Sequence, residues 1–111
     1  MANAFKLKTL DGSAISANTD STVYTVPSST TTIVLGLTLS NITTSTIYAS
    51  VGITNNDGDN VNFLKSVPIP TGSAIEVMSG NKIVLEASDA ITAASDTANS
   101  LDVTLSIMEQ S

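Results

Sequence analysis

The sequence predicts an all-β fold: a single antiparallel β-sandwich, jelly-roll-like or Ig-like, of about eight strands. Three observations carry this expectation. Apolar residues alternate with polar ones in several short segments, most strictly at Leu101, Val103, Leu105 and Ile107. Clusters of Gly, Pro, Asn, Asp and Ser separate these segments about every 8–12 residues. Serine and threonine, mediocre in helices but suited to strands and turns, are abundant, and helical periodicity never exceeds the alternation beside it.

Taken in order, residues 1–20 read as an N-terminal arm or edge strand, and residues 21–111 as the sandwich domain. Phe5 and Leu7 fall on one face of the first segment, Lys6 and Lys8 on the other. Asp11-Gly12 is a turn signal, and Ser13 to Ala17 a weak strand. Val23 to Val26 is a strand closed by Pro27. From Ile33 the odd positions Ile33, Leu35, Leu37 and Leu39 predict the buried face of the next strand. Ile47, Ala49, Val51 and Ile53 repeat the pattern, with Tyr48, Ser50 and Gly52 outward.

The run Asn55 to Asn60 is rich in residues that tolerate left-handed backbone, and reads as a turn. Val61 to Val67 follows, anchored by Phe63. Pro68 and Pro70 cannot donate to a ladder, which places this end at an edge or a corner. Ser73 to Met78 and Lys82 to Ala87 are two further strands, with Gly80-Asn81 as a reversal between them. Ile75, Val77, Ile83 and Leu85 are expected in the same aliphatic core as Leu35 and Leu105.

Composition narrows the function. The chain of 111 residues carries 4 lysines, no arginine, and 10 acidic residues, for a net charge of −6. Diffuse acidity with no basic patch argues against nucleic acid as a partner. The longest apolar stretch is too short to span a bilayer, so no membrane partner is expected. The first residues lack the apolar core of a secretory leader, which reads as synthesis in the cytoplasm.

Histidine and cysteine are absent, and no Gly-x-Ser-x-Gly elbow occurs, so no enzyme activity and no catalytic residue is expected. Glu76 and Glu86 could approach across the Gly80 turn, but read more simply as solvated outer-face residues. Asp57 and Asp59 offer oxygen donors, yet the loop lacks the bidentate Glu of a calcium site; no metal and no cofactor is expected. Tyr48, then Tyr24, would be the stacking residue of a sugar site. Asn41-Ile42-Thr43 matches a glycosylation sequon and reads as chance. Large apolar residues recur on nominally outer faces. Val34, Leu64, Met78, Val84 and Met108 are therefore the expected interface residues, unless a loop or the N-terminal arm covers them.

Four stretches together have a familiar pattern. They are Val23 to Leu37, Pro68 to Val77 and Lys82 to Ile91, then Ser100 to Glu109. The pattern resembles small β-rich virion structural proteins of tailed bacteriophages, especially marine and cyanobacterial ones, over residues 21 to 109. Such proteins often carry Ala-Gly-Asp where this chain has Ala87-Ser88-Asp89. The resemblance implies a virion component, made in the host cytoplasm, without enzyme activity. Its expected partners are the major capsid protein or other virion proteins, and further copies of itself, a trimer being one form. A capsid decoration or cement subunit is the leading expectation. A tail, neck or baseplate accessory and a host-surface carbohydrate-binding module are the alternatives.

Overall fold

Alternation becomes strand along most of the chain in this computed structural model, which describes residues 3–78 and 82–111. Nine strands form among those residues: β1 (Asn3–Leu10), β2 (Ser21–Thr25), β3 (Thr31–Asn41), β4 (Ile47–Thr54) and β5 (Asn60–Ile69), then β6 (Ala74–Glu76), β7 (Ile83–Leu85), β8 (Ala90–Ser95) and β9 (Leu101–Gln110). A single 3-10 turn, Gly12–Ala14, stands where a weak strand was expected, capped by the Asp11 carboxylate accepting from the Ser13 amide at 2.9 Å.

The strands make one long hairpin that folds back on itself. β1 pairs with β9, β2 with β8, β3 with β6 and β7, and β4 with β5, all antiparallel. Rolling this hairpin up adds the β3–β9 and β4–β8 ladders. The result is a sandwich: β1-β9-β3 with β6 and β7 in the first sheet, β2-β8-β4-β5 in the second. The wrapped double ladder is the arrangement of a jelly roll. Between the sheets lies an aliphatic core, with Leu37, Leu39, Leu105 and Ile107 from the first sheet and Ile47, Val51, Ile69 and Ile91 from the second. The one aromatic side chain buried there is Tyr24.

Three expectations are corrected. First, alternation in β3 breaks at Leu35. Val34 pairs with Ile107 and Gly36 with Ser106, so Leu35 is an extra, bulged residue. The bulge reverses which positions point inward. Thr32 and Val34 are buried before it and Leu37 and Leu39 after it, while Leu35 is exposed. Secondly, Phe63 does not anchor β5. Val51 pairs with Leu64 and Gly52 with Asn62, which leaves Phe63 as the extra residue of a bulge, turned toward solvent.

Thirdly, β6 and β7 do not form a hairpin. Ala74, Ile75 and Glu76 lie opposite Ser40, Leu39 and Thr38, and Ile83, Val84 and Leu85 opposite Val34, Ile33 and Thr32. Both pieces run antiparallel to β3, so they are collinear halves of one edge strand. The expected turn at Gly80-Asn81 lies outside the described residues, and the strands that flank it keep one direction. Ile75, Val77 and Ile83 still pack against the core, and Leu85 is buried in it.

Candidate functional site

The five residues expected at an interface do not share a surface. Val34 and Met78 are core residues, at 1% and 2% exposure, which corrects their assignment: the bulge turns Val34 inward, and Met78 packs into the core cluster. Leu64 is half-buried against the same core. Met108 and Val84 do face outward, Met108 half-buried and Val84 62% exposed.

These two belong to a surface that alternation located only in part. Phe5 pairs with Met108, Met108 with Ile33, and Ile33 with Val84, so the four side chains form one row straight across the outside of the first sheet. Phe5 is 78% exposed, and Leu7, two residues on along β1, 64%. Leu35 adds its bulged side chain nearby. The amphipathicity of β1 is thus inverted: phenylalanine and leucine face out, and Lys6 and Lys8 face in. The two faces of β1 were legible, but not which of them would meet the core.

Lys6 faces inward because it has a partner there. Its ammonium lies 2.8 Å from Oε1 of Glu109 on β9. Oε2 of Glu109 accepts a 2.5 Å hydrogen bond from the Tyr24 hydroxyl, which is also 2.8 Å from the Thr32 hydroxyl. Tyr24 stands on β2, so this chain of polar groups ties the two sheets together at one end of the sandwich. Burial, and then the bonded Glu109 carboxylate, push the Tyr24 hydroxyl from 10.0 up to about 12. The Lys6 and Tyr24 hydrogen bonds hold Glu109 below its ordinary 4.5. Every member is partnered, and the cluster reads as a structural tie. Tyr24 is therefore unavailable as a sugar-stacking residue.

Glu76 and Asn41 are committed to the fold as well. The Glu76 carboxylate accepts from the Leu37 amide at 2.9 Å and the Thr38 hydroxyl at 3.1 Å, beside the β3 bulge. Asn55 closes its turn by accepting from the Asp57 amide at 2.8 Å, with Gly58 at φ +97°. Among the described residues, no group of three or more acidic side chains could hold a metal ion. The Asn41 side chain is buried and donates to the Ser45 and Ile69 carbonyls at 2.8 and 2.9 Å, so its amide nitrogen is closed to glycosylation. A hollow of about 230 Å³ between Leu10 and Asp102 offers little, because the Asp102 carboxylate already accepts from the Gly12 amide at 2.8 Å.

The outer face of the second sheet is different. A groove of about 250 Å³ crosses it, floored by the small residues Ser50, Gly52 and Ala94. One wall is the bulged strand β5, with Asn62 and Lys65. The other is the segment from Asn18 to Asp20, held by the Asn18 amide donating to the Ser95 carbonyl at 2.8 Å. Tyr48 stands in this groove and is 48% exposed. Its backbone is pinned: the Tyr48 amide donates to an Asp96 carboxylate oxygen at 3.1 Å, and the Asp96 amide to the Tyr48 carbonyl at 3.0 Å. The side chains of Asn18, Asp20, Asn62 and Lys65 and the Tyr48 hydroxyl form no hydrogen bond or ion pair with the described residues.

No protein-family model matches the chain, and no curated protein sequence matches it. Among solved structures, the fold is similar to that of a chain from the work titled "Bacillus endospore appendages form a novel family of disulfide-linked pili". The TM-score is 0.53 at 13% identity, over 97% of this chain and 84% of that one. At that identity the likeness is one of fold alone.

Proposed function

We propose that this protein is a non-catalytic structural subunit of a tailed-bacteriophage virion, a capsid decoration subunit that attaches through the outer face of its first sheet. The observation that carries the reading is the apolar row Phe5–Met108–Ile33–Val84, with Leu7 and Leu35 beside it. A free sandwich in water gains nothing by turning phenylalanine and leucine of an edge strand outward. A subunit that covers them on a shell does. The four most exposed of these side chains offer on the order of 400 Å² of apolar area, within the range of functional patches. A standard interface takes roughly 800 Å² from each partner, a little over half of it apolar, so the row with its Thr and Ser surroundings is of the right size.

Attachment of this kind adds buried area across capsomer boundaries and stabilises the shell by mass action. The jelly-roll fold and the resemblance to phage virion proteins support the reading. The fold shared with a pilus subunit is compatible with a role in an assembly. Those pili are disulfide-linked, whereas this chain has no cysteine, so it cannot be linked into an assembly by disulfides.

Reconstitution with undecorated capsids tests the proposal. Saturable binding is expected, and it should be lost in the double variant Phe5→Ser/Leu7→Ser. Both side chains are mostly exposed, so the variant should melt with the wild type. Binding to isolated tails or baseplates, with none to capsids, would move the subunit to a tail, neck or baseplate position. Absence of binding to every particle component would refute the reading.

A further inference from the structure

The apolar row and the Tyr48 groove lie on opposite outer faces of a body whose principal extents are 45 × 26 × 23 Å. A subunit seated by its first sheet would present the groove to the surroundings. We infer that this groove is a carbohydrate-binding site for neutral glycans.

Four features point to that ligand class. The first is an exposed aromatic ring on a rigid strand, fixed at its backbone by Asp96, which gives a flat surface for the apolar face of a sugar ring. The second is the set of uncommitted polar groups around it. The Lys65 ammonium and the Asn18 and Asn62 amides donate, while the Asp20 carboxylate and the amide oxygens accept. A polyhydroxylated ring needs both kinds at close spacing. The third is the floor: with Ser50, Gly52 and Ala94, no bulky side chain competes for the space. At about 250 Å³ the groove has room for a sugar residue and is smaller than the usual drug-sized cleft.

The fourth feature is charge. Asp20 and Asp96 outnumber Lys65, so the groove is net negative, inside a protein of net charge −6. That balance disfavours phosphate, sulfate and carboxylate ligands, and hence nucleic acids and acidic sugars. Neutral hexoses and N-acetylated hexosamines remain.

The test uses the purified full chain, free of any particle, so its result is independent of capsid attachment. The protein is applied to an array of neutral oligosaccharides with sialylated and sulfated glycans as the anionic arm. In parallel, amide chemical shifts are followed by NMR while glucose, galactose, mannose and N-acetylglucosamine are titrated in. The expected result is binding of neutral glycans, with shifts concentrated at Ser50, Gly52, Asn62 and Ala94. Tyr48→Ala should weaken it at least about tenfold, while Tyr48→Phe, which keeps the ring, should stay within about threefold. Tyr48 is half-exposed, so neither variant should change the melting behaviour. The inference is overturned by preference for anionic glycans, by shifts that avoid the groove, by Tyr48→Ala binding as well as wild type, or by no glycan binding at all.

Discussion

Replacing Tyr24 with phenylalanine removes one oxygen from the tie between the sheets, and the structure sets both the size and the pH dependence of the effect. At neutral pH the variant leaves the buried Thr32 hydroxyl without its 2.8 Å partner and strips Glu109 of one of its two hydrogen-bonding partners. Losing that bridging hydroxyl should cost about 2–3 kcal/mol. Alkali should produce the same loss in the wild type. In the folded protein the Tyr24 hydroxyl is pushed from 10.0 up to about 12, so the unfolded chain releases its proton first. A group raised in this way contributes stability that is complete below pH 10 and is lost as the pH rises through about 12. Two pH units correspond to roughly 2.7 kcal/mol. The gap between wild type and Tyr24→Phe should therefore be full near neutral pH and shrink toward zero at the alkaline end.

Urea unfolding of both proteins across that range measures the gap directly. Phenolate absorbance should show one tyrosine titrating late in the wild type, and that late step should vanish in the variant. A gap that stays constant from neutral to strongly alkaline pH would refute the reasoning, because it would mean that the hydroxyl is not linked to folding through its proton. Glu109 works in the opposite direction. Its carboxyl is held below 4.5, first by Lys6 and then by Tyr24, so its contribution is complete above that value and is lost as the pH falls through the lowered folded one.

Two further substitutions probe the loop between β7 and β8. Asp89 is buried, and its two carboxylate oxygens accept from the Asn56 and Glu86 amides, each at 2.8 Å. Asp89→Ala should destabilise by about 2–4 kcal/mol in urea unfolding, and a loss under about 0.5 kcal/mol would show that those amides find other partners. Ser88 sits at φ +74°, in the region where glycine is at ease, and Ser88→Gly should raise stability by about 0.5 kcal/mol and Tm by roughly 2–4 °C. A lower Tm would show that the flexibility glycine adds to the unfolded chain outweighs the relief of strain.

That position lies in Ala87-Ser88-Asp89, where the resemblance expected from the sequence would place Ala-Gly-Asp, and the backbone at Ser88 has the conformation that glycine favours. Outside β1, whose alternation shows two faces but not which one is buried, the sequence was readable where period two ran unbroken. Leu101, Val103, Leu105 and Ile107 all point inward, as do Ile47, Ala49 and Val51. It misled wherever one residue was inserted. Leu35 and Phe63 are both bulged, and alternation carries no memory across a bulge. Gly80-Asn81 has the composition of a reversal, but direction is fixed by pairing with β3, which local composition does not encode. The sugar-site candidates were half legible: both tyrosines were identifiable, and only their strand faces separate the exposed Tyr48 from the buried Tyr24. Asn18, Asp20, Asn62 and Lys65 join Tyr48 through long-range β pairing and could not be grouped by spacing.

The division of one edge into β6 and β7 bears on whether copies of this protein can add strand to strand. A sheet edge invites another chain to extend it, and extension repeated from copy to copy ends in fibres. Here the first sheet ends on one side in two pieces of three residues each, too short to template a neighbour. Its other edge, β1, is long, but Lys6 and Lys8 lie on its inner face, where an added strand would cover charge. The second sheet ends in β5, with its bulges and Pro68, and in β2, which is short and bulged. Among the described residues each of the four margins carries a feature that discourages strand-by-strand growth, which favours the broad faces as contact surfaces.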